Sequence, residues 1–343
     1  MFVERGDTIV CNRKRTGFAA GFIGSGGLHR AEQPSGRQHR YTPPRDGRRA
    51  GSRIRFFTQG SRTERKKGSI CFVIYKKSGA VVDDTPFFSE LSEGISLSCK
   101  KAHYDLTIRY LYEDDDLADQ MFSLRTGGFD GILLLATEMN EASLLPFDAF
   151  SIPIVLLDAY FETLNYDCVL MNNVQGAYLA TSYLISKRKI QPGYLRSSYR
   201  IENFNQRADG FYKAIRDHGM SASKSPVHLL SPSQEGAYED MKALLSAGEE
   251  LAKAYFADND NIAIGAMRAL KEAGYRIPEN IAIVGFDDLP LCEYLTPPLT
   301  TVEVPKRFLG ETAVARMIER IENKYSLPLK IETAVRLKKR KSV

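Results

Sequence analysis

The side chains of this 343-residue sequence best placed for chemistry are acids and amides that follow short apolar runs. Asp258, Asn259 and Asp260 come directly after the run at 254–256, and Asp158 comes directly after the run at 154–157. A carboxylate accepts two hydrogen bonds from neighbouring hydroxyls, while a guanidinium donates in a planar fork. Such a combination suits a polyhydroxylated ligand. Asn259 or Asp260 can equally cap the helix that begins there, a role that needs no ligand, and a carboxylate such as Asp158 in a loop can simply face water.

Other chemistry finds no support in the spacing. Five histidines (His29, His39, His103, His218, His228) are dispersed without a helical pair, which argues against zinc or a histidine-activated nucleophile. Five cysteines (Cys11, Cys71, Cys99, Cys168, Cys292) stand far apart without a CxxC pair, against a disulfide framework and in favour of a reducing cytoplasm. Gly24-Ser25-Gly26-Gly27 lacks the last glycine of a dinucleotide fingerprint and the spacing of a nucleophile elbow. The acidic run at 113–116 precedes a helical pattern and reads as capping and dipole complementation. No catalytic residue, metal ligand or cofactor is therefore expected, and an enzyme is disfavoured.

The elements that must position these groups alternate from Ser69 onward. Apolar strand candidates at 69–75, 106–110, 131–135, 154–157, 168–171, 194–196, 227–230, 254–256 and 281–286 are separated by helical patterns, clearest at 117–126, 175–186, 204–218, 238–245 and 261–273. This rhythm builds parallel sheets covered by helices on both faces, an α/β fold. Nine strands exceed one doubly wound unit, so two similar lobes are expected, with a ligand crevice at the carboxyl ends of the strands. No apolar run approaches the roughly 18 residues a membrane span requires, so no membrane partner is expected.

Charge divides the chain unevenly. Residues 1–67 hold 16 Lys and Arg against 5 Asp and Glu, and the remainder holds 31 against 37, within a net charge of +5. The first segment is crowded with Arg, Gly, Pro and Gln with little apolar periodicity, and it reads as disordered.

The ordered set Ala257-Asp258-Asn259-Asp260, then 281–288 (Ile-Ala-Ile-Val-Gly-Phe-Asp-Asp), then 294–302 (Tyr-Leu-Thr-Pro-Pro-Leu-Thr-Thr-Val) resembles the LacI/GalR family of bacterial transcriptional regulators. Thr85-Pro86-Phe87-Phe88 and the helix entry at 172–177 extend the resemblance over 68–343. It implies two Rossmann-like lobes of the periplasmic-binding-protein type, joined by three crossing strands, with an effector in the cleft. Lobe 1 is placed at about 68–165 and 289–328, and lobe 2 at about 166–288 and 329–343.

By the same resemblance, Arg207 of Arg207-Ala208-Asp209-Gly210-Phe211 contacts effector hydroxyls, and Asp260 of the Asn259-Asp260 pair accepts from them. Arg207 could otherwise be a solvated surface charge. Phe87, Phe88, Tyr160 and Phe161 stand where family members place apolar or stacking contacts, although core packing accounts for each as well. Asp158 occupies an equivalent loop. The implied partners are a small-molecule effector, most simply a carbohydrate, operator DNA, and a second copy in a homodimer.

The family's opening helix-turn-helix and hinge helix are not legible in 1–67, where glycine and proline at 21–27 and 43–49 would break helices. As written, this segment would touch DNA through phosphates alone, in a salt-sensitive way. The abrupt change at Lys67-Gly68 is what an upstream shift of reading frame or a misjoined start would produce, and translating the upstream DNA in the other two frames tests it. A solute-binding receptor of the same fold without DNA function is the alternative reading.

Overall fold

The structure, a computed structural model, describes residues 66–82, 86–323 and 325–343. The first lobe begins with β1 (Gly68–Lys76), α1 (Phe87–Lys101), β2 (Tyr104–Tyr112), α2 (Leu117–Thr126), β3 (Gly131–Leu135), α3 (Glu141–Leu144), β4 (Ile154–Leu157) and β5 (Asp167–Met171). The second lobe follows as α4 (Asn173–Arg188), β6 (Gly193–Ser197), α5 (Glu202–Asp217), β7 (Val227–Leu230), α6 (Gln234–Ala247), β8 (Ala254–Ala257), α7 (Asp260–Glu272), β9 (Ala282–Asp287) and β10 (Thr300–Glu303). The chain then returns to the first lobe with α8 (Lys306–Glu322) and β11 (Lys330–Thr333), and ends in the second with β12 (Arg336–Lys338).

The two sheets have the same internal order, β2-β1-β3-β4-β5-β11 and β7-β6-β8-β9-β10-β12. Every neighbouring pair is parallel except β10 with β12. Parallel strands need crossover helices, and these cover both faces, so the central strands are buried on both sides. In β1, Ile70, Phe72 and Ile74 enter one core cluster while Cys71, Val73 and Tyr75 enter the other. The period of two thus carries apolar residues in both phases, which is why 69–75 reads as a continuous apolar run.

Helix packing relies on small residues at close approaches. A Cβ added at Gly94 of α1 would lie 2.2 Å from the Arg307 carbonyl oxygen of α8, and one at Gly310 of α8 would lie 2.5 Å from that of Leu91. Only hydrogen fits there, so the backbones of α1 and α8 pack directly. At the start of α2, Asp116 accepts from the Asp119 backbone N–H at 3.0 Å, the capping role expected of the acidic run.

The chain passes between sheets three times, at 171–173, 303–306 and 333–336. These passages correct the lobe limits drawn from sequence. β5 belongs to the first sheet and not to lobe 2, β10 belongs to the second sheet and not to lobe 1, and β11 returns to the first. The passages are one or two residues long and carry no shift in composition, so nothing local marks them. The basic segment falls outside the described residues except for Lys66 and Lys67, as do Gly24-Ser25-Gly26-Gly27 and Thr85. No helix among the described residues is long and apolar enough to cross a membrane.

Candidate functional site

The loops at the carboxyl ends of the central strands of both sheets meet and line a small pocket of about 30 Å³. From the first lobe come Val81, Phe87, Phe88, Thr137, Asp158 and Met171. Facing them from the second are Ile201, Asn203, Phe204, Arg207, Asn259, Asn261 and Asp287.

Arg207 is the centre of the polar network. It lies in the second turn of α5 and is 4% exposed, so the solvated surface charge is excluded. Its Nε donates to Asn173 Oδ1 at 2.9 Å and Nη1 to the Asp258 carbonyl at 2.5 Å, while Nη2 donates to Asp287 Oδ1 at 3.2 Å. The guanidinium carbon stands 3.8 Å from the centre of the Phe286 ring. Every edge of the fork is thereby oriented before a ligand arrives.

Asp158 faces this network from the other lobe. It ends β4 in a left-handed turn with φ 60° and is 5% exposed. Its Oδ2 accepts from Thr137 Oγ1 at 2.7 Å, and its carbonyl accepts from Asn203 Nδ2 across the cleft at 3.1 Å. Its Oδ1 is buried with no hydrogen-bond partner. A buried carboxylate oxygen normally has a donor, so this one retains an unused acceptor on a residue that lines the pocket. Burial pushes the Asp158 carboxyl up to about 6, against the pull of Thr137 and Arg207. Burial also raises Asp287, which Arg207 and Lys306 hold down.

Two expectations need correction. Asp260 does not line the pocket. It is fully buried, with Oδ1 accepting from Thr301 Oγ1 at 2.5 Å and Oδ2 from the Leu289 N–H at 2.8 Å, and burial pushes it up to about 7. As the first residue of α7, it is carried by the helix toward the turn after β9, so it supports that turn instead of meeting an effector. Tyr160 also lies elsewhere, in a separate groove with Phe161, where Lys330 Nζ stands 3.7 Å over its ring. The chain turns away from the cleft after Asp158. Asn259 does line the pocket, but its amide is engaged internally, capping α7 through the Ile262 N–H at 2.8 Å and donating to the Pro232 carbonyl at 3.3 Å.

Arg207, Asp158, Asn259, Phe87 and Phe88 are thus brought together, while Asp260 and Tyr160 are not. Sequence reasoning passed over Asp287, Asn203, Phe204 and Thr137. Asp287 was detectable as the acid directly after the 281–286 run. Asn203 and Phe204 lie one turn before Arg207, a spacing that places them on its face of a helix.

The switch point of each sheet is already filled by a carboxylate of the chain itself. Glu138, after β3, accepts from the backbone N–H groups of Lys77, Ser78, Gly79, Val81 and Val82 at 2.9–3.3 Å. In the second lobe, Asp258 accepts from the Ser197 N–H at 2.6 Å and from the Tyr194 hydroxyl. Donors that would cradle a phosphate in a single doubly wound lobe are therefore used internally. Burial likewise raises the thiols of Cys71 and Cys168 to about 12 and that of Cys99 to about 11, away from reactive thiolate. Among the described residues no group of three His, Cys, Asp or Glu could hold a metal ion.

Comparison with known proteins agrees with this geometry. Residues 181–343 match a family model described as a periplasmic binding protein-like domain. The chain is 32% identical over 272 residues to the HTH-type transcriptional repressor PurR of Mannheimia succiniciproducens, covering 78% of this chain and 81% of that protein. The chain belongs to the LacI/GalR family of bacterial transcriptional regulators. A second LacI/GalR relative, the ribose operon repressor of Haemophilus influenzae, is 32% identical over 251 residues, 72% of this chain and 75% of its own length. The fold match extends to a LacI family regulator from Enterococcus faecium solved with bound ribose, with a TM-score of 0.68 and 26% identity over 79% of this chain and 98% of that one.

Proposed function

We propose that this LacI/GalR regulator binds a small polyol, most simply a pentose, between its lobes, and that occupancy of the pocket controls its grip on operator DNA. One observation carries the reading: the oriented Arg207–Asp287 pair of one lobe and Asp158 of the other, whose Oδ1 has no partner, line the same pocket. A guanidinium donor and two carboxylate acceptors fix several hydroxyls at once, with charge-assisted bonds about twice as strong as neutral ones. Phe87, Phe88 and Phe204 supply apolar surface for the C–H faces of a sugar ring. The ribose-bound neighbour supports a pentose.

In this reading the effector joins both lobes and shifts their relative orientation by binding one arrangement more tightly than the other. DNA contact falls to the basic segment 1–67, outside the described residues, and the protein works in the cytoplasm as a homodimer on a two-fold symmetric site. The edge strands of the two sheets support self-association: Ile108 and Tyr110 of β2 and Leu229 of β7 are exposed, at 45%, 52% and 60%.

A thermal-shift panel of pentoses, hexoses, sugar phosphates and nucleobases tests the pocket. A ligand present at 100 times its Kd adds about 2.7 kcal/mol, or about 5–10 °C for a protein of this size. D-ribose is expected to produce such a shift in the parent and none in Arg207→Ala or Asp287→Asn. Equal shifts in all three proteins refute the site assignment. A shift that comes only from nucleobases refutes the polyol.

A further inference from the structure

The turn after β9 carries two consecutive aspartates with left-handed backbone, φ 109° at Asp287 and 51° at Asp288. Aspartate tolerates the second value but rarely adopts the first. A strained residue persists only where its surroundings over-determine it, and here the clamp is visible. Asp287 reaches Arg207 in the pocket, whereas Asp288 is gripped elsewhere. Asp288 Oδ1 accepts from Arg340 Nη2 at 2.6 Å and its Oδ2 from Lys338 Nζ at 3.0 Å, and its carbonyl accepts from Lys306 Nζ at 3.1 Å. Glu293 adds a second carboxylate, 3.1 Å from Arg340 and 3.5 Å from Lys338. On the next residue, Asp260 holds the Leu289 N–H.

The origin of these cations gives the clamp its meaning. Lys306 opens α8 directly after the second passage between lobes, while Lys338 and Arg340 follow the third. The side chains of Asp288 and Arg340 are each 9% exposed and that of Lys306 3%, so these contacts are shielded from water, while Lys338 and Glu293 reach the surface. We propose that Asp288 is a positioning residue: held by cations at two of the three interlobe passages, it fixes Asp287 on Arg207 and couples pocket occupancy to movement at the passages. The coupling rests on reading the pocket as the effector site. Lys338 and Arg340 hold Asp288 from its own lobe, so a rotation of the lobes that displaces Lys306 alters the backbone of Asp287, and by linkage a ligand that draws on Asp287 biases the same rotation.

Hydrogen exchange of the ligand-free full chain tests this, comparing the parent with Asp288→Asn, Arg340→Met and Arg340→Lys. Asparagine tolerates φ near 51°, so Asp288→Asn removes the charge and leaves the turn conformation accessible. Peptides over 282–289 and 201–208 are expected to exchange roughly tenfold faster in Asp288→Asn and Arg340→Met, with α6 unchanged and the Arg340→Lys variant near the parent, as expected for a local opening event. D-ribose affinity is expected to fall roughly 2- to 30-fold in the first two variants. Unchanged exchange in both, or acceleration that extends over α6, overturns the proposal. If D-ribose fails to stabilise the parent, the effector reading fails, and the exchange comparison still decides whether Asp288 positions Asp287.

Discussion

Replacing Arg207 with methionine keeps most of the aliphatic stem and removes the guanidinium. That strands three acceptors: Asn173 Oδ1, the Asp258 carbonyl and the Asp287 carboxylate, whose side chain is 13% exposed. Removing one partner of a buried pair costs about 3–5 kcal/mol, because the other charge stays buried. Against a typical stability of about 5–15 kcal/mol, this is a large fraction, equivalent to a fall in melting temperature of about 6–20 °C.

The mechanism predicts two further signatures of Arg207→Met. Asp287 is already raised by burial and held down mainly by Arg207, so without the arginine it takes up a proton, and the cost of the variant shrinks as pH falls from 7.5 to 5. Asp287→Asn in the same chain removes the stranded charge, so the double variant should cost at least about 1–2 kcal/mol less than the sum of the singles. Urea titrations of the parent, both singles and the double at the two pH values measure both effects. Additive costs that do not change with pH would refute the claim that Arg207 acts by pairing with Asp287.

The Asp158 carboxyl stands at about 6, above its unfolded value near 3.9, so the folded chain binds the extra proton between those values. Its contribution to stability is therefore full below about pH 4 and lost as pH rises through 6, and Asp158→Asn should gain roughly 2–3 kcal/mol at pH 7.5 but nothing at pH 4, read from melting temperature against pH. A parallel profile for parent and variant would contradict the burial argument. Glu138→Gln withdraws the charge from five backbone N–H donors. It should cost roughly 1–3 kcal/mol and speed hydrogen exchange at 77–82, and unchanged exchange there would show that the carboxylate does not hold this pocket loop.

Strand existence was readable because parallel strands buried on both faces are short unbroken apolar runs, as at 131–135, 154–157 and 168–171. β10, β11 and β12 escaped notice. They read Thr-Thr-Val-Glu, Lys-Ile-Glu-Thr and Arg-Leu-Lys, and their partners at the sheet margin tolerate polar residues, so no apolar run marks them. α8 escaped too, since its buried face includes Lys306 and Arg316, whose charges hide the helical apolar pattern until Glu90 and Asp167 are seen beside them.

The order of residue types along the chain determined the α/β class, the pair of lobes and the importance of loops that follow strands, because local periodicity and burial on both faces leave their marks in every short stretch. Tertiary structure alone decided which acid serves the pocket. Asp258, Asn259, Asp260, Asp287 and Asp288 all follow strands and look alike in sequence, yet one accepts from Tyr194, one caps a helix, one braces a turn, one meets Arg207 and one meets Arg340. The direction a side chain takes at a strand end depends on the backbone dihedral angle there and on partners from distant segments, such as residue 340 for Asp288. Neither is encoded within a few residues of the acid itself.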